Sequence, residues 1–247
     1  MRILLTNDDG YDSQGLHAVA DLFKDEHEIC VVAPDSQKSG FSHSITLKPN
    51  VFSCREVFGY GYKVFAVGGS PVDCVKSALS VLFKDPDLVI SGINNGENLG
   101  SDIMYSGTVS AATDAVHLGK RALALSLDKK GATRNDFDLC ARFVKDNFNA
   151  LIGAELPSKT FLNINFPNGT PVGVKVVKMN TQITFIDLYK RGDNEMLIPD
   201  GDRDYGELNG DNDEYFCKAG YITITPLTVD RTDHSALEKL KKGKFVL

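Results

Sequence analysis

Residues 2–16 read RILLTNDDGYDSQGL: a five-residue apolar run, Arg2–Thr6, breaks into Asn7-Asp8-Asp9-Gly10, and the pattern restarts at Ser13 with helical spacing. A short, uninterrupted apolar run is the signature of a strand buried on both faces. Ser13 supplies a cap for the helix that follows, whose inner stripe is Leu16, Val19, Ala20 and Phe23. Gly10 allows the tight turn between the two. A strand, a polar turn and an amphipathic helix make the first half of a parallel crossover.

The rhythm continues outward from that unit. Residues 28–33 (EICVVA) form a second strand stopped by Pro34, and Ser70 with Pro71 opens a helix in the favoured order of cap then proline. The inner face of that helix is Val75, Leu79, Leu82 and Phe83. A third strand lies at 87–91 (DLVIS), an alanine-rich helix at 106–118, and a strand at Arg121–Leu127. A helix at 136–151 and a strand at Thr160–Phe166 follow. Alternation of this kind predicts an α/β fold: a three-layer Rossmann-like core with a mostly parallel sheet and right-handed crossovers.

Past about residue 170 the texture changes. Strands are expected at 172–179, 181–188 and 221–225, and a short helix at 235–240. Residues 200–214, rich in Asp, Gly and Asn, read as an exposed loop. The chain therefore divides into a Rossmann-like catalytic core at 1–170 and a β-rich C-terminal extension at 171–247. The extension lacks the apolar periodicity for a core of its own, so it is expected to pack on the first part or on a second subunit.

Composition bounds the function. The 247 residues are 42% apolar and 24% charged, and 27 Lys and Arg against 33 Asp and Glu leave a net charge of −6. No segment approaches the ~20 apolar residues of a membrane helix. The basic footprint of a protein that coats a nucleic-acid polymer is missing. A phosphate ester would need a local cation to hold it. Five cysteines, an odd number with no CxxC, argue against a disulfide framework or a zinc knuckle. Acidic residues by position 8 argue against an export signal. Both point to a cytoplasmic setting.

In open parallel sheets ligands bind beyond the carboxyl ends of the strands. Behind the first strand stand Asp8 and Asp9, adjacent carboxylates that repel unless a cation intervenes. Behind the second is APDSQKSGFSHS, where Ser39 offers a hydroxyl to a metal and Lys38 and His43 offer charge to a phosphate. Behind the third is SGINNGENLG, three Asn and three Gly in ten residues. Then comes Tyr105-Ser106-Gly107-Thr108, with Ser106 at a helix cap and Gly107 and Thr108 in the first turn, where free N–H groups can hold an anion. Each segment also has a plain reading, as a turn, a polar loop or an ordinary cap. Position joins them, because all face one crevice. Asp8, Asp9, Ser39 and Asn94 make a hard-oxygen set that favours Mg²⁺ or Mn²⁺ over zinc and suggests phosphoryl transfer to water.

The motifs MRILLTNDDG-x₄-G, APDSQKSG, GGSPVDCV, SGINNGENLG and YSGTVSAA, in that order, resemble the stationary-phase survival protein SurE family of metal-dependent nucleoside monophosphate phosphatases. The likeness is close over residues 1–127 and looser through FLNINFP and YITITPL. It implies that Asp8, Asp9, Ser39 and Asn94 bind one divalent metal ion per subunit. The family pattern S-G-[IV]-N selects Asn94 over Asn95. It also implies hydrolysis of nucleoside 5′-monophosphates, with 3′-nucleotides and polyphosphate as further substrates, and homodimers or homotetramers with an exchanged C-terminal extension. Asp8 or Asp9 would orient the attacking water or take its proton, while Asn95, Ser106, Gly107 and Thr108 would contact the phosphate. The sequence departs from the family at Gly68-Gly69-Ser70-Pro71, where Gly-Thr-Pro is usual, and in detail at 40–43.

Other readings fit less well. An aspartyl-phosphate route through Asp8 calls for a D-x-D order, and here the order is Asp-Asp-Gly. A receiver module needs an acceptor Asp where this chain has Ile90-Ser91-Gly92. A dinucleotide oxidoreductase needs G-x-G-x-x-G after the first strand. A non-catalytic nucleotide-binding module stays open as an alternative.

Overall fold

The computed structural model describes residues 1–182, 189–193, 196–200 and 210–243. In chain order the strands and helices are β1 (Arg2–Thr6), α1 (Gln14–Phe23), β2 (Glu28–Pro34), β3 (Cys54–Val57), β4 (Lys63–Val67), α2 (Pro71–Ser77), β5 (Leu88–Asn95), α3 (Gly107–His117) and β6 (Arg121–Leu127). They continue with α4 (Arg134–Asp146), α5 (Phe148–Gly153), β7 (Thr160–Phe166), β8 (Gly173–Val176), β9 (Tyr189–Arg191), β10 (Leu197–Pro199), α6 (Asp213–Lys218), β11 (Tyr221–Thr228) and α7 (His234–Leu240).

Nine strands form one mixed sheet in the order β3-β4-β2-β1-β5-β6-β7-β11-β8, and β9 pairs with β10 alone. From β2 through β7 the inner neighbours are parallel, while β3 and β11 run antiparallel to β4 and β7. β1 lies between β2 and β5, so the chain winds outward to one side, returns, and winds to the other. The switch point, where an open α/β sheet leaves a crevice, falls between β1 and β5.

Helices cover both faces. Ile3, Leu5, Leu16, Phe23, Ile90 and Phe137 pack on the α1–α4 side. Leu4, Cys30, Val75, Val89, Ala111 and Ala115 pack on the α2–α3 side. Alternate residues of β1 enter opposite cores, as a strand with two buried faces requires.

Several expectations are corrected by the structure. The helix expected at 136–151 is two helices with a break at Asn147, and the first begins at Arg134, capped by Thr133 in a capping box with Asp136. The strand expected at 87–91 continues to Asn95, with a register shift between Ser91 and Asn94. Asn94 and Asn95 are thus strand-end residues. The hairpin β3–β4 was not foreseen, since β3 is exposed and polar. Its tip is fastened to α1 by His17, which stacks on Tyr60 at 4.5 Å and reaches the Tyr62 hydroxyl at 2.7 Å. The loop expected at 200–214 ends instead in α6, where Asp213 and Glu214 are buried. Residues 201–209 of that loop and 183–188 of the strand expected at 181–188 lie outside the described residues. The expected packing of the C-terminal part on the first part takes the form of added strands: β11 pairs with β7 over six residues and carries β8 on its outer side.

Candidate functional site

Four segments converge beyond β1 and β5. Asn7 shapes the first. Its amide donates to the Gly10 carbonyl at 2.9 Å and to Ser13 Oγ at 2.6 Å, and its side-chain oxygen accepts from the Gly10 N–H. Gly10, at φ +112°, completes the turn. This turn throws the two carboxylates in different directions.

Asp8 turns toward α3. The Thr108 hydroxyl donates a short hydrogen bond to Asp8 Oδ1. A Cβ on Gly107 would lie 2.8 Å from Asp8 Cβ and 3.1 Å from Oδ2, so only glycine lets the first turn of α3 come this close. The Asp8 carbonyl accepts from the Lys38 N–H at 2.7 Å, which ties in the second loop. Asp9 turns toward β5, where its Oδ2 accepts from the Asn95 N–H at 3.0 Å.

Both carboxylates are held short of full solvation. Asp8 is 5% exposed, and burial pushes its carboxyl up to about 6 with the Asp9 charge adding to the shift, although the Thr108 hydrogen bond works against it. Burial also raises Asp9, against the Asn95 N–H. Neither forms an ion pair among the described residues. Two adjacent, partly desolvated carboxylates with no cationic partner among the described residues make a site that favours positive charge.

The other predicted residues fall as follows. Ser39 is exposed one position from Lys38, and its Oγ accepts from Gln37 Nε2 at 3.1 Å. Asn94 is half-buried. Its amide nitrogen donates to the Gly96 carbonyl at 2.9 Å, which leaves the side-chain oxygen as the available ligand atom. Among the described residues no three His, Cys, Asp or Glu are arranged to hold a metal, so any cation here would draw on mixed carboxylate, amide and hydroxyl oxygens. Asn95 contributes its backbone to Asp9, and its side chain is exposed. Ser106 caps α3, accepting from the Val109 N–H at 3.0 Å, and Gly107 and Thr108 are buried in the first turn. His43 lies 3.4 Å from Asp114, which also faces Lys76 at 3.2 Å, and Lys38 Nζ lies over the Phe41 ring. Neither is directed at the carboxylate pair. A cavity of about 290 Å³ opens beside Asp9, lined by Ser13, Gln14, Gln37, Asn95 and Phe137.

Sequence reasoning missed Asn98. Its N–H donates to Asn165 Oδ1 at 2.8 Å, its carbonyl accepts from Asn163 and Asn165, and its amide donates to Ser126 Oγ at 2.7 Å. This buried network holds the middle of the loop after β5. The available signal was FLNINFP, whose alternate Asn residues interrupt an apolar strand.

The fold and site together define an α/β protein whose switch-point crevice pairs hard-oxygen groups with the first turn of a helix. The family model described as Survival protein SurE matches residues 3–185, and the chain belongs to that family. It is 39% identical over 252 residues to the 5′-nucleotidase SurE of Pelotomaculum thermopropionicum, covering 98% of this chain and 95% of that protein. The 5′-nucleotidase SurE of Vibrio cholerae serotype O1 is 37% identical, covering 97% and 96%. The crystal structure of the SurE protein from Aquifex aeolicus superposes with a TM-score of 0.83 at 30% identity, covering 98% of each chain.

Proposed function

We propose that the chain is a divalent-metal-dependent phosphatase that hydrolyses nucleoside monophosphates to nucleoside and inorganic phosphate. The observation that carries this reading is the pair of buried Asp8 and half-buried Asp9, without an ion-pair partner among the described residues, set against the first turn of α3. Family membership and relatives named 5′-nucleotidase support it. The donor set fits a hard cation: Asp8, Asp9, Ser39 and Asn94 would hold one Mg²⁺ or Mn²⁺ per subunit. When bound, such an ion polarises phosphoryl oxygen and acidifies water.

The chain's own residues would do the rest. The N–H groups of Gly107 and Thr108 at the start of α3, with Ser106 and Asn95 nearby, would hold the phosphoryl oxygens as charge develops on them. Asp8 or Asp9 would orient the attacking water and take its proton as the ester P–O bond breaks, and the departing nucleoside oxygen would leave as the hydroxyl on taking a proton from that carboxyl or from water. The Thr108 hydroxyl would fix the rotamer of Asp8 for that role. The same reading extends to 3′-nucleotides and polyphosphate as further substrates, to a homodimer or homotetramer with an exchanged C-terminal extension at 171–247, and to a cytoplasmic setting. No helix of the described residues is long and apolar enough to cross a membrane.

The test is phosphate release from 5′- and 3′-monophosphates and polyphosphate, with Mn²⁺, Mg²⁺, Co²⁺ and Zn²⁺ in turn, for the parent and for Asp9→Asn. The parent should be inactive in chelator and restored by Mn²⁺ or Mg²⁺. The variant should lose roughly a hundredfold to a thousandfold in turnover at saturating metal, the scale expected when a positioned acid–base and charge-stabilising group is lost. Undiminished turnover by Asp9→Asn would sink the assignment.

A further inference from the structure

The helix α6 lies more than a hundred residues beyond the crevice in sequence, yet it grips the loop that leaves β5. Asp213, 0% exposed, accepts three backbone hydrogen bonds from three segments. Its Oδ1 accepts from the Asn180 N–H at 2.7 Å and the Glu214 N–H at 2.9 Å, and its Oδ2 accepts from the Gly100 N–H at 3.2 Å. Gly100 sits at φ +49°, and a Cβ there would meet Asn180 Cβ and Glu214 Oε2 at 3.3 Å. At the other end of the helix, Lys218 Nζ lies 3.3 Å from Glu97 and 2.7 Å from Asp128. Glu97 and Gly100 bracket Asn98, whose buried network holds the middle of the same loop. The helix in turn is mounted on the sheet, because it runs through one turn into β11.

We propose that Asp213 and Lys218 are positioning residues for the catalytic crevice: α6 clasps the loop 97–100 at both ends and so fixes Asn94 and Asn95 before it and Ser106 to Thr108 after it. The inference rests on the phosphatase reading above. Burying a carboxylate is costly, and an apolar side chain would fill the same space at lower cost. What an apolar side chain lacks is an acceptor for the N–H groups of an irregular buried loop, and such groups must be paired. Asp213 also binds Asn180, so the flanks of the segment 181–211 are closed on the same carboxylate that holds Gly100. A crevice built from loops reaches catalytic geometry only where each loop is pinned from outside.

Asp213→Asn separates these roles. Its one oxygen can keep the Asn180 and Glu214 N–H groups, which places its NH₂ against the Gly100 N–H, donor against donor. Lys218→Met releases the other end and keeps the apolar stem. Each variant is made in the full chain. The readouts are kcat and KM for phosphate release, the Mn²⁺ concentration at half activation, thermal melting, and amide hydrogen exchange of the metal-free protein.

For Asp213→Asn the expected result is a fall in kcat of roughly tenfold to a hundredfold, KM within about twofold, and a higher Mn²⁺ midpoint, as misplacement of reacting groups predicts. Exchange should quicken at 96–104 and stay unchanged in β1 and β5. Lys218→Met should move every readout the same way by less. Should Asp213→Asn fail to fold, Lys218→Met carries the test alone. Turnover within about twofold of the parent in every folded variant overturns the proposal. So does a loss that matches the lost folded fraction, with exchange rising throughout. If Asp9→Asn also keeps parental turnover, the phosphatase reading has failed. If Asp9→Asn is inactive while the clasp variants are not, only the clasp has failed.

Discussion

The strand Leu88–Asn95 and the helix Asp213–Lys218 hold the same loop from opposite sides, and they are made of different materials. β5 is apolar through Leu88, Val89, Ile90 and Ile93, enters both cores, and ends in the polar pair Asn94 and Asn95. α6 is DEYFCK, and the side chains it buries most deeply include Asp213 and Glu214, 0% and 2% exposed. The first element is held by removing apolar surface from water, which tolerates small errors of fit. The second is held by directional bonds to N–H groups, which do not. One crevice therefore depends on two kinds of burial, and substitutions on each side should differ in what they cost.

The largest effect is expected where the crevice is tightest. Gly107→Ala would put a methyl 2.8 Å from Asp8 Cβ and 3.0 Å from Pro71 Cγ. Either α3 retreats or Asp8 leaves the Thr108 hydroxyl. Overpacking of this kind costs about 1–3 kcal/mol, and the misplaced carboxylate should lower turnover roughly a hundredfold. A thermal melt and a phosphate-release assay check the two parts. Parental activity with an unchanged melt would mean that α3 approaches Asp8 less closely than this contact requires.

The next effect sharpens the contrast within one strand of β7. Ile164 and Asn165 are both fully buried neighbours. Asn165→Ala leaves the Asn98 N–H without its acceptor and is expected to cost about 2–3 kcal/mol, against about 1 kcal/mol for Ile164→Val. Denaturant titrations of both variants decide it. Equal costs would erase the distinction between directional and apolar burial.

That distinction also explains how much was legible beforehand. β1, β6 and β7 were read to the residue, and the crevice at Asp8 and Asp9 followed from the sheet rule, because apolar runs and strand-end polar clusters are local patterns. The Thr108 bond to Asp8 and the Asn95 N–H on Asp9 were not legible, since they join residues 100 and 86 positions apart. The reading of 200–214 as an exposed loop failed at Asp213 and Glu214 because polar composition ordinarily marks surface. Nothing local says that Gly100 and Asn180 bring N–H groups to that carboxylate. The hairpin β3–β4 escaped for a related reason: β3 is exposed, and although β4 buries Val64, Ala66 and Val67, the tip meets α1 through a His17–Tyr62 contact across 45 residues.

The smallest effect separates two buried carboxylates by pH. Asp114 on α3 is 4% exposed and faces His43 from the loop after β2 and Lys76 from α2. Burial alone would raise its carboxyl, but the bonds to His43 and Lys76 outweigh burial and hold it below the ordinary value. Asp213 meets backbone N–H groups and, among the described residues, no cation, and there burial wins and raises the carboxyl. A lowered value means that the folded state binds the proton more weakly than the unfolded chain. The stability Asp114 contributes is then present above its unfolded value, near 4, and fades as pH falls through the folded one. A raised value acts in reverse, so acid relieves Asp213 while it weakens Asp114. Asp114→Asn should cost about 1 kcal/mol at pH 7, and at about pH 3, below the unfolded value, the gap to the parent should be narrower. Denaturant melts of both proteins at the two pH values measure it. A gap that stays constant would show that Asp114 acts through shape and not through its charge, and the contrast with Asp213 would then rest on geometry alone.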